Sequence, residues 1–309
     1  MCTKEKTTMT IRIVTDSATD IPWDYARENN IKVACLTVMV GDEVIKEDES
    51  FDRDEYYKNF EEEKAFMKIP MLKIHSFVPK TSQPAPIDYY QAYQEHVDDG
   101  AKEIIVIDIT AGLSGSINSA RIAAKNFNRK NKDIKIYNID AKSASYPGVI
   151  LIKMAVEMIE KGYTGEKIAS FLTEQAIKIK TVIFLPTILY LWKGGRLRTS
   201  KFILGSMLRK KPLVTMNEEG FVVPAGNAKD VESGLEMTCA LSTDDYKRDP
   251  KEFFIVYGSR LDYAEKVESI LKEHYPKVQM KIVHSRGSVL SHLGPESIGL
   301  ITNYTDDIK

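Results

Sequence analysis

Short apolar runs rich in β-formers alternate along this chain with longer stretches of helical spacing, and small polar turns join the two. Ile11-Arg12-Ile13-Val14-Thr15 is the first such run, closed by Asp16-Ser17-Ala18-Thr19-Asp20. Pro22 then stands where a first helical turn tolerates its missing N–H, ahead of a helix over 24–28. In that setting Asp16 and Asp20 read as a turn and as the N-cap of this helix. Residues 32–40 read as one strand closing at Gly41-Asp42, and 52–66 as an acidic helix carrying Tyr56, Tyr57, Phe60 and Phe66. A helix over 86–97, a strand over 103–109, a helix over 118–126, a strand over 134–139 and a helix over 149–161 follow. Strands separated by single helices predict parallel βαβ units with right-handed crossovers.

The pattern changes near Gly162–Gly165, where a boundary is expected, giving an N-terminal domain over 1–165 and a C-terminal domain over 166–309. The second part reads as a helix over 166–178, a strand over 181–185 and a helix over 201–208. Strands over 212–217 and 221–224 flank a hairpin signal at Glu218-Glu219-Gly220. A helix over 230–241, strands over 253–257 and 278–283 around a helix over 262–273, and a last strand over 298–303 complete it. The predicted fold class is therefore α/β in two domains. The N-terminal one is mainly a parallel sheet flanked by helices, and the C-terminal one is mixed.

A length of 309 residues favours two cores over one. Lys+Arg 43 against Asp+Glu 44 leaves a net charge of -1, which argues against a nucleic-acid partner. The clearest basic cluster, over 193–211, reads as solvated surface or a local partner patch. Cys2, Cys35 and Cys239 show no paired spacing, so neither a disulfide framework nor a zinc site is expected, and a reducing cytoplasmic setting fits. The first eight residues are too polar for a secretory signal, and Met9 is a plausible natural start. The most apolar stretch, 181–192, is broken by Pro186 and falls short of the ~20 residues of a membrane helix.

Candidate chemistry lies in the small hydroxyl segments. Lys80-Thr81-Ser82-Gln83-Pro84 is one, and Thr110-Ala111-Gly112-Leu113-Ser114-Gly115-Ser116 is another, placed between a strand and a helix. A third strand-to-helix turn is Asp140-Ala141-Lys142-Ser143-Ala144-Ser145. Free N–H groups and hydroxyls at such turns suit an anion such as a carboxylate or phosphate. Tight packing alone also explains a Gly/Ser turn, and Ser114 could serve only as a helix cap. The turns after Asp16, before Ser114 and at Asp140 should share one edge of a parallel sheet, where ligands of open α/β folds bind. No dinucleotide fingerprint or phosphate P-loop occurs, so no nucleotide cofactor is expected. No His pair has ligand spacing for a metal. Ser114 with His292, and Asp16 or Asp140 as third member, offers a hydrolase or transferase alternative acting on a lipid or carboxylate ester. Against it, Leu113-Ser114-Gly115 is not a nucleophile elbow.

Six segments in order resemble the DegV family and span 11 to about 300. They are Ile13-Val14-Thr15-Asp16-Ser17-Ala18-Thr19-Asp20, Lys80-Thr81-Ser82-Gln83-Pro84, Gly112-Leu113-Ser114-Gly115-Ser116, 140–145, Gly194-Gly195-Arg196-Leu197 and His292-Leu293-Gly294-Pro295. The resemblance implies a bacterial fatty-acid-binding protein of two α/β domains that is not itself an enzyme. It would hand its acid to a separate fatty acid kinase subunit, related to dihydroxyacetone kinases, which makes the acyl phosphate. It further implies that Thr81 (or Ser82) and Ser114 hold the carboxylate, that His292 lies close by, and that Arg196 handles the head group or the kinase. A desolvated carboxylate must keep its hydrogen bonds, which hydroxyls and N–H groups supply, and a protonated His292 would add a counter-charge. For an acid of roughly C14–C18, burial at about 0.8 kcal/mol per CH₂ would supply most of the affinity. The chain departs from the family pattern at Glu296-Ser297, at Tyr257 and at Asn227, and the segment over 67–77 looks longer than usual. Glu296 is expected to point to solvent, since beside the head group it would repel the acid.

Overall fold

The structure is a computed structural model that describes residues 10–40, 43–58, 78–197 and 210–308. The expected helix over 201–208, the 59–66 part of the helix expected over 52–66, and the segment over 67–77 lie outside the described residues. Among the described residues thirteen strands form three sheets. The first is wholly parallel, in the order β2 (Lys32–Ala34), β1 (Ile11–Asp16), β6 (Glu103–Asp108), β7 (Lys135–Asp140). The second has six strands in the order β10 (Val222–Ala228), β9 (Lys211–Met216), β8 (Ile179–Phe184), β13 (Ile298–Asn303), β11 (Glu252–Tyr257), β12 (Gln279–His284). Only the β11–β12 pair of that sheet is parallel.

Burial on both faces explains the apolar runs of the parallel sheet. Ile104 and Val106 of β6 pack toward helices α2 (Pro86–Asp98) and α3 (Ser116–Asn128), whereas Ile105 and Ile107 pack on the opposite layer. That opposite layer is α4 (Tyr146–Glu160) with α5 (Gly165–Ala176). Helix α4 is apolar almost all round because it lies between the two large sheets. Ile150 and Leu151 join one core with Ile105 and Ile107 on one side and Phe254 and Ile301 on the other. Helix α5, capped by Thr164 Oγ1 on Lys167 N–H, packs on β6 and β7 of the first sheet, so the chain changes sheets between Ala176 and Ile179. Helices α7 (Val231–Ser242) and α8 (Leu261–His274) cover the far face of the six-stranded sheet.

The third sheet is a small antiparallel one, β4 (Glu43–Lys46), β3 (Thr37–Val40), β5 (Lys80–Ser82). The sequence reads 32–40 as a single strand, but the chain leaves the parallel sheet after Ala34. Leu36 N–H bonds Ser17 Oγ at 2.9 Å, and the chain then enters β3. Short helices among the described residues include α1 (Trp23–Glu28), α6 (Leu189–Lys193) and α9 (Gly287–Leu293). Asp20 is not the N-cap of α1, whose cap position is Pro22. Its carboxylate instead accepts from Ser145 Oγ, Ser285 Oγ and Arg286 N–H, joining the first sheet to α9.

Candidate functional site

The carboxyl ends of β1, β6 and β7 lie side by side, as the turn pattern predicts. Asp16 accepts from Ile109 N–H (3.3 Å), and Asp140 accepts from Ala111 N–H (3.2 Å) and Lys142 N–H (2.8 Å), which braces the turn leading to Ser114. Opposite them stands one face of the six-stranded sheet. Thr181 and Ile183 of β8 pair with Ile301 and Gly299 of β13, so all four share that face. Between these two surfaces, with α9 as a third wall, is a cavity. Its lining is mainly apolar, with Leu36, Ile109, Ile183, Val222, Val256 and Ile301 among it.

Thr81, Ser114, Arg196 and His292 all line this cavity, although they come from four separate parts of the chain. Thr81 sits in the middle of β5, opposite Val38, and its Oγ1 lies 2.8 Å from His292 Nε2. Strand alternation sends Ser82 the other way. It is exposed, contacts the Gln83 carbonyl at 3.4 Å, and borders an outer cleft rather than the cavity. Ser114 Oγ is 2.9 Å from Ser116 Oγ and accepts from Ser116 N–H at 3.2 Å, so it shapes the helix start while facing the cavity. Gln83 ties the two hydroxyl segments together, since its amide donates to Ser119 Oγ and lies over Gly115. A Cβ on Gly115 would meet Gln83 Oε1 at 1.9 Å.

Arg196 bridges the same turns from the C-terminal half. Its Nε donates to the Leu113 carbonyl (3.1 Å) and its Nη1 to the Gly194 carbonyl (2.6 Å). Partial burial lowers its pKa without threatening its charge. His292 sits near the end of α9, and its Nδ1 abuts Gly194, where any Cβ would come within 2.3 Å. Burial, assisted by the Arg196 charge, pushes the imidazole down to about 3. In this structure His292 is therefore neutral and supplies no positive charge, whereas Arg196 does. No bond joins His292 to Ser114 among the described residues, and Nδ1 faces no carboxylate. The hydrolase arrangement of Ser114, His292 and an aspartate is thus not assembled.

The hairpin of β9 and β10 closes the cavity against the Ser114 turn. Thr110 Oγ1 donates to the Gly220 carbonyl at 3.1 Å, and a Cβ on Gly112 would meet that same carbonyl at 2.1 Å. Glu296 is half-exposed, 4.0 Å from Arg260 and outside the cavity lining, whereas its neighbour Ser297 lines the cavity.

Sequence reasoning missed the buried acids behind this site. Glu47 is fully buried and accepts from Ser17 Oγ (2.8 Å), Ser288 N–H (2.7 Å) and Ser288 Oγ (2.6 Å), anchoring the start of α9. Arg286 donates to the Ser17 and Ile21 carbonyls and stacks on Trp23, 4.6 Å from its ring centre. Burial raises the carboxyls of Asp20 and Glu47, opposed by Arg286 in the first case and by Ser288 in the second. Asp16 is pushed up to about 7, chiefly by burial, and Asp108 is raised well above the usual carboxylate range by burial and by Asp16. The signal available was a pair of acids flanking a serine-rich turn at a strand end, which also reads as ordinary turn chemistry.

Among the described residues no helix is long and apolar enough to cross a membrane, and no group of three or more His, Cys, Asp or Glu side chains suits a metal ion. Residues 10–304 match the family described as uncharacterised protein, DegV family. A DegV domain-containing protein of Staphylococcus aureus (strain N315) is 26% identical over 290 residues, covering 94% of this chain and 97% of the relative. The solved structure of a fatty acid binding DegV family protein from Streptococcus agalactiae superposes with a TM-score of 0.83 at 22% identity, over 95% of this chain and 99% of that one. The Fatty Acid Kinase (Fak) B3 protein of Streptococcus pneumoniae, loaded with linoleic acid, gives 0.78 at 23% identity, over 96% of this chain and all of that one (100%). The fold is theirs, and the chain belongs to the DegV family.

Proposed function

We propose that this protein binds a long-chain fatty acid, non-catalytically, and presents its carboxyl group to a separate kinase subunit of the dihydroxyacetone-kinase-like type. The observation that carries the reading is a largely apolar cavity whose polar lining includes Thr81, Ser114, Arg196 and His292 from four separate segments. In this reading the carboxylate accepts from the hydroxyls of Thr81 and Ser114, with Arg196 supplying positive charge and neutral His292 orienting Thr81. Charge-assisted hydrogen bonds of this kind are the strong ones. The acyl chain runs between the two large sheets, where each buried CH₂ contributes about 0.8 kcal/mol. Relatives of the same fold that hold fatty acids, one of them a component of a fatty acid kinase, support the assignment. The unassembled Ser114–His292 pair argues against the esterase alternative.

Native mass spectrometry of protein purified from bacteria tests the reading. Retention of an added mass equal to a C14–C18 acid is expected, and the double variant Thr81→Val with Ser114→Ala should lose it while remaining folded. Undiminished retention by that variant removes the site assignment. Turnover of an acyl ester that stops with Ser114→Ala would replace the carrier with an enzyme.

A further inference from the structure

The cavity is not uniformly apolar away from its head-group end. Six more hydroxyl side chains line it: Ser143, Ser145, Thr181, Ser285, Ser288 and Ser297. Four of them already have an acceptor for their proton. Ser145 and Ser285 donate to Asp20, Ser288 to Glu47 and Ser297 to the Gly294 carbonyl. Ser143 and Thr181 differ. They are 3% and 5% exposed, and their hydroxyl oxygens lie 3.1 Å apart. That contact uses one of the pair's two hydroxyl protons, whichever residue donates. Among the described residues no acceptor takes the other.

A buried donor without an acceptor bears its full desolvation penalty. The backbones that carry the pair are themselves tied down. Thr110 N–H donates to the Ser143 carbonyl at 2.9 Å, and Thr215 Oγ1 donates to the Thr181 carbonyl at 2.7 Å. Thr181 lies three residues before Phe184, the last residue of β8, or about 10 Å along the strand. Leu191 and Arg196 come after that strand end. Both hydroxyls line the cavity, and neither bonds Thr81, Ser114, Arg196 or His292.

We propose that Ser143 and Thr181 form a second polar contact that selects acyl chains bearing an oxygen, as a hydroxyl or keto group, partway along their length. The proposal rests on the fatty-acid reading above. An unsubstituted chain passes a methylene over the pair and leaves the proton unpaired. A chain oxygen gives up its water on entering the cavity, and the pair replaces that lost hydrogen bond. One neutral hydrogen bond in such an exchange corresponds to a preference of about 3- to 10-fold.

The test is displacement of a fluorescent fatty acid from the delipidated full-length protein. The competitors are stearic acid and positional series of monohydroxy- and keto-stearic acids. At one position, or two adjacent ones, the oxygenated acids are expected to bind about 3- to 10-fold more tightly than stearic acid. Ser143→Ala with Thr181→Val should abolish that gain and leave stearic acid binding at least as tight. Thr181→Ser, which keeps the hydroxyl, should retain the gain. The proposal is overturned if no oxygen position improves on stearic acid, if the gain survives in the double variant, or if Thr181→Ser loses it. Failure of every acid, stearic included, to bind the wild-type protein would instead overturn the carrier reading, and this proposal with it.

Discussion

Gly194→Ala perturbs the head-group cluster at one atom. The new Cβ would lie 2.3 Å from His292 Nδ1 and 2.9 Å from the Tyr190 carbonyl, against an ordinary contact of 3.4 Å or more. The imidazole must therefore retreat by roughly an ångström, since the carbonyl belongs to helix α6 and cannot yield as readily. That movement breaks the 2.8 Å contact of His292 with Thr81. A neutral hydrogen bond contributes about 0.5–1.5 kcal/mol and overpacking costs about 1–3 kcal/mol, so the expected destabilisation is about 2–4 kcal/mol. At this chain length that lowers Tm by several degrees. Fatty-acid affinity should fall about 3- to 10-fold, because Thr81 loses the partner that orients it. Thermal unfolding and displacement of a fluorescent acid read the two effects. The decisive comparison is a double-mutant cycle: adding Gly194→Ala to His292→Ala should cost clearly less than adding it to the wild type, because the imidazole clash is gone and only the Tyr190 carbonyl contact remains. Unchanged Tm and affinity in Gly194→Ala, or full additivity in the cycle, would refute the reasoning.

Other consequences follow from the buried acids and the cavity walls. The Asp16 carboxyl titrates at about 7 in the folded protein and near 3.9 when unfolded. From about pH 4 to 7 the native state thus holds a proton the unfolded chain has released, and stability falls as pH rises. Asp16 alone should remove on the order of 4 kcal/mol across that window. Thermal melts of Asp16→Asn should show a flatter profile there, and an unaltered slope would contradict the assignment. Asp20→Ala removes the shared acceptor of Ser145 Oγ, Ser285 Oγ and Arg286 N–H and should cost about 3 kcal/mol or more in denaturant titration. Asp20→Asn, which keeps an acceptor, should cost less. The depressed pKa of His292 means its ring stays neutral in the ligand-free protein from pH 8 down to 5, which NMR titration of the imidazole would show. Ile183→Trp should fill part of the cavity and weaken long-acid binding more than tenfold with the fold retained, as read by displacement and circular dichroism.

The large sheets were legible because their strands obey strong rules. Ile104-Ile105-Val106-Ile107 is apolar on both faces, and its burial between two helical layers accounts for that run. The three turns at the carboxyl ends of β1, β6 and β7 followed from the same βαβ logic. The small sheet escaped detection for opposite reasons. Glu43–Lys46 is an exposed edge strand with Val44 facing outward, and Lys80–Ser82 is only three residues long. Neither carries a period long enough to read. Helix α9, which delivers His292, begins Gly287-Ser288 and owes its start to Glu47 and Asp20, contacts of more than two hundred residues' separation. Local propensity does not contain them. The same holds for Asp20, whose cap-like sequence position conceals a tertiary role.

The cavity and its polar end stand or fall together on the position of one carboxylate. A crystal structure of the protein saturated with palmitic or oleic acid measures it directly. Carboxylate oxygens are expected within hydrogen-bond distance of Thr81 Oγ1 and Ser114 Oγ, with the chain running between the two large sheets. An acid bound elsewhere, or one lying in the cavity with its carboxylate turned toward Ser143 and Thr181, would contradict it.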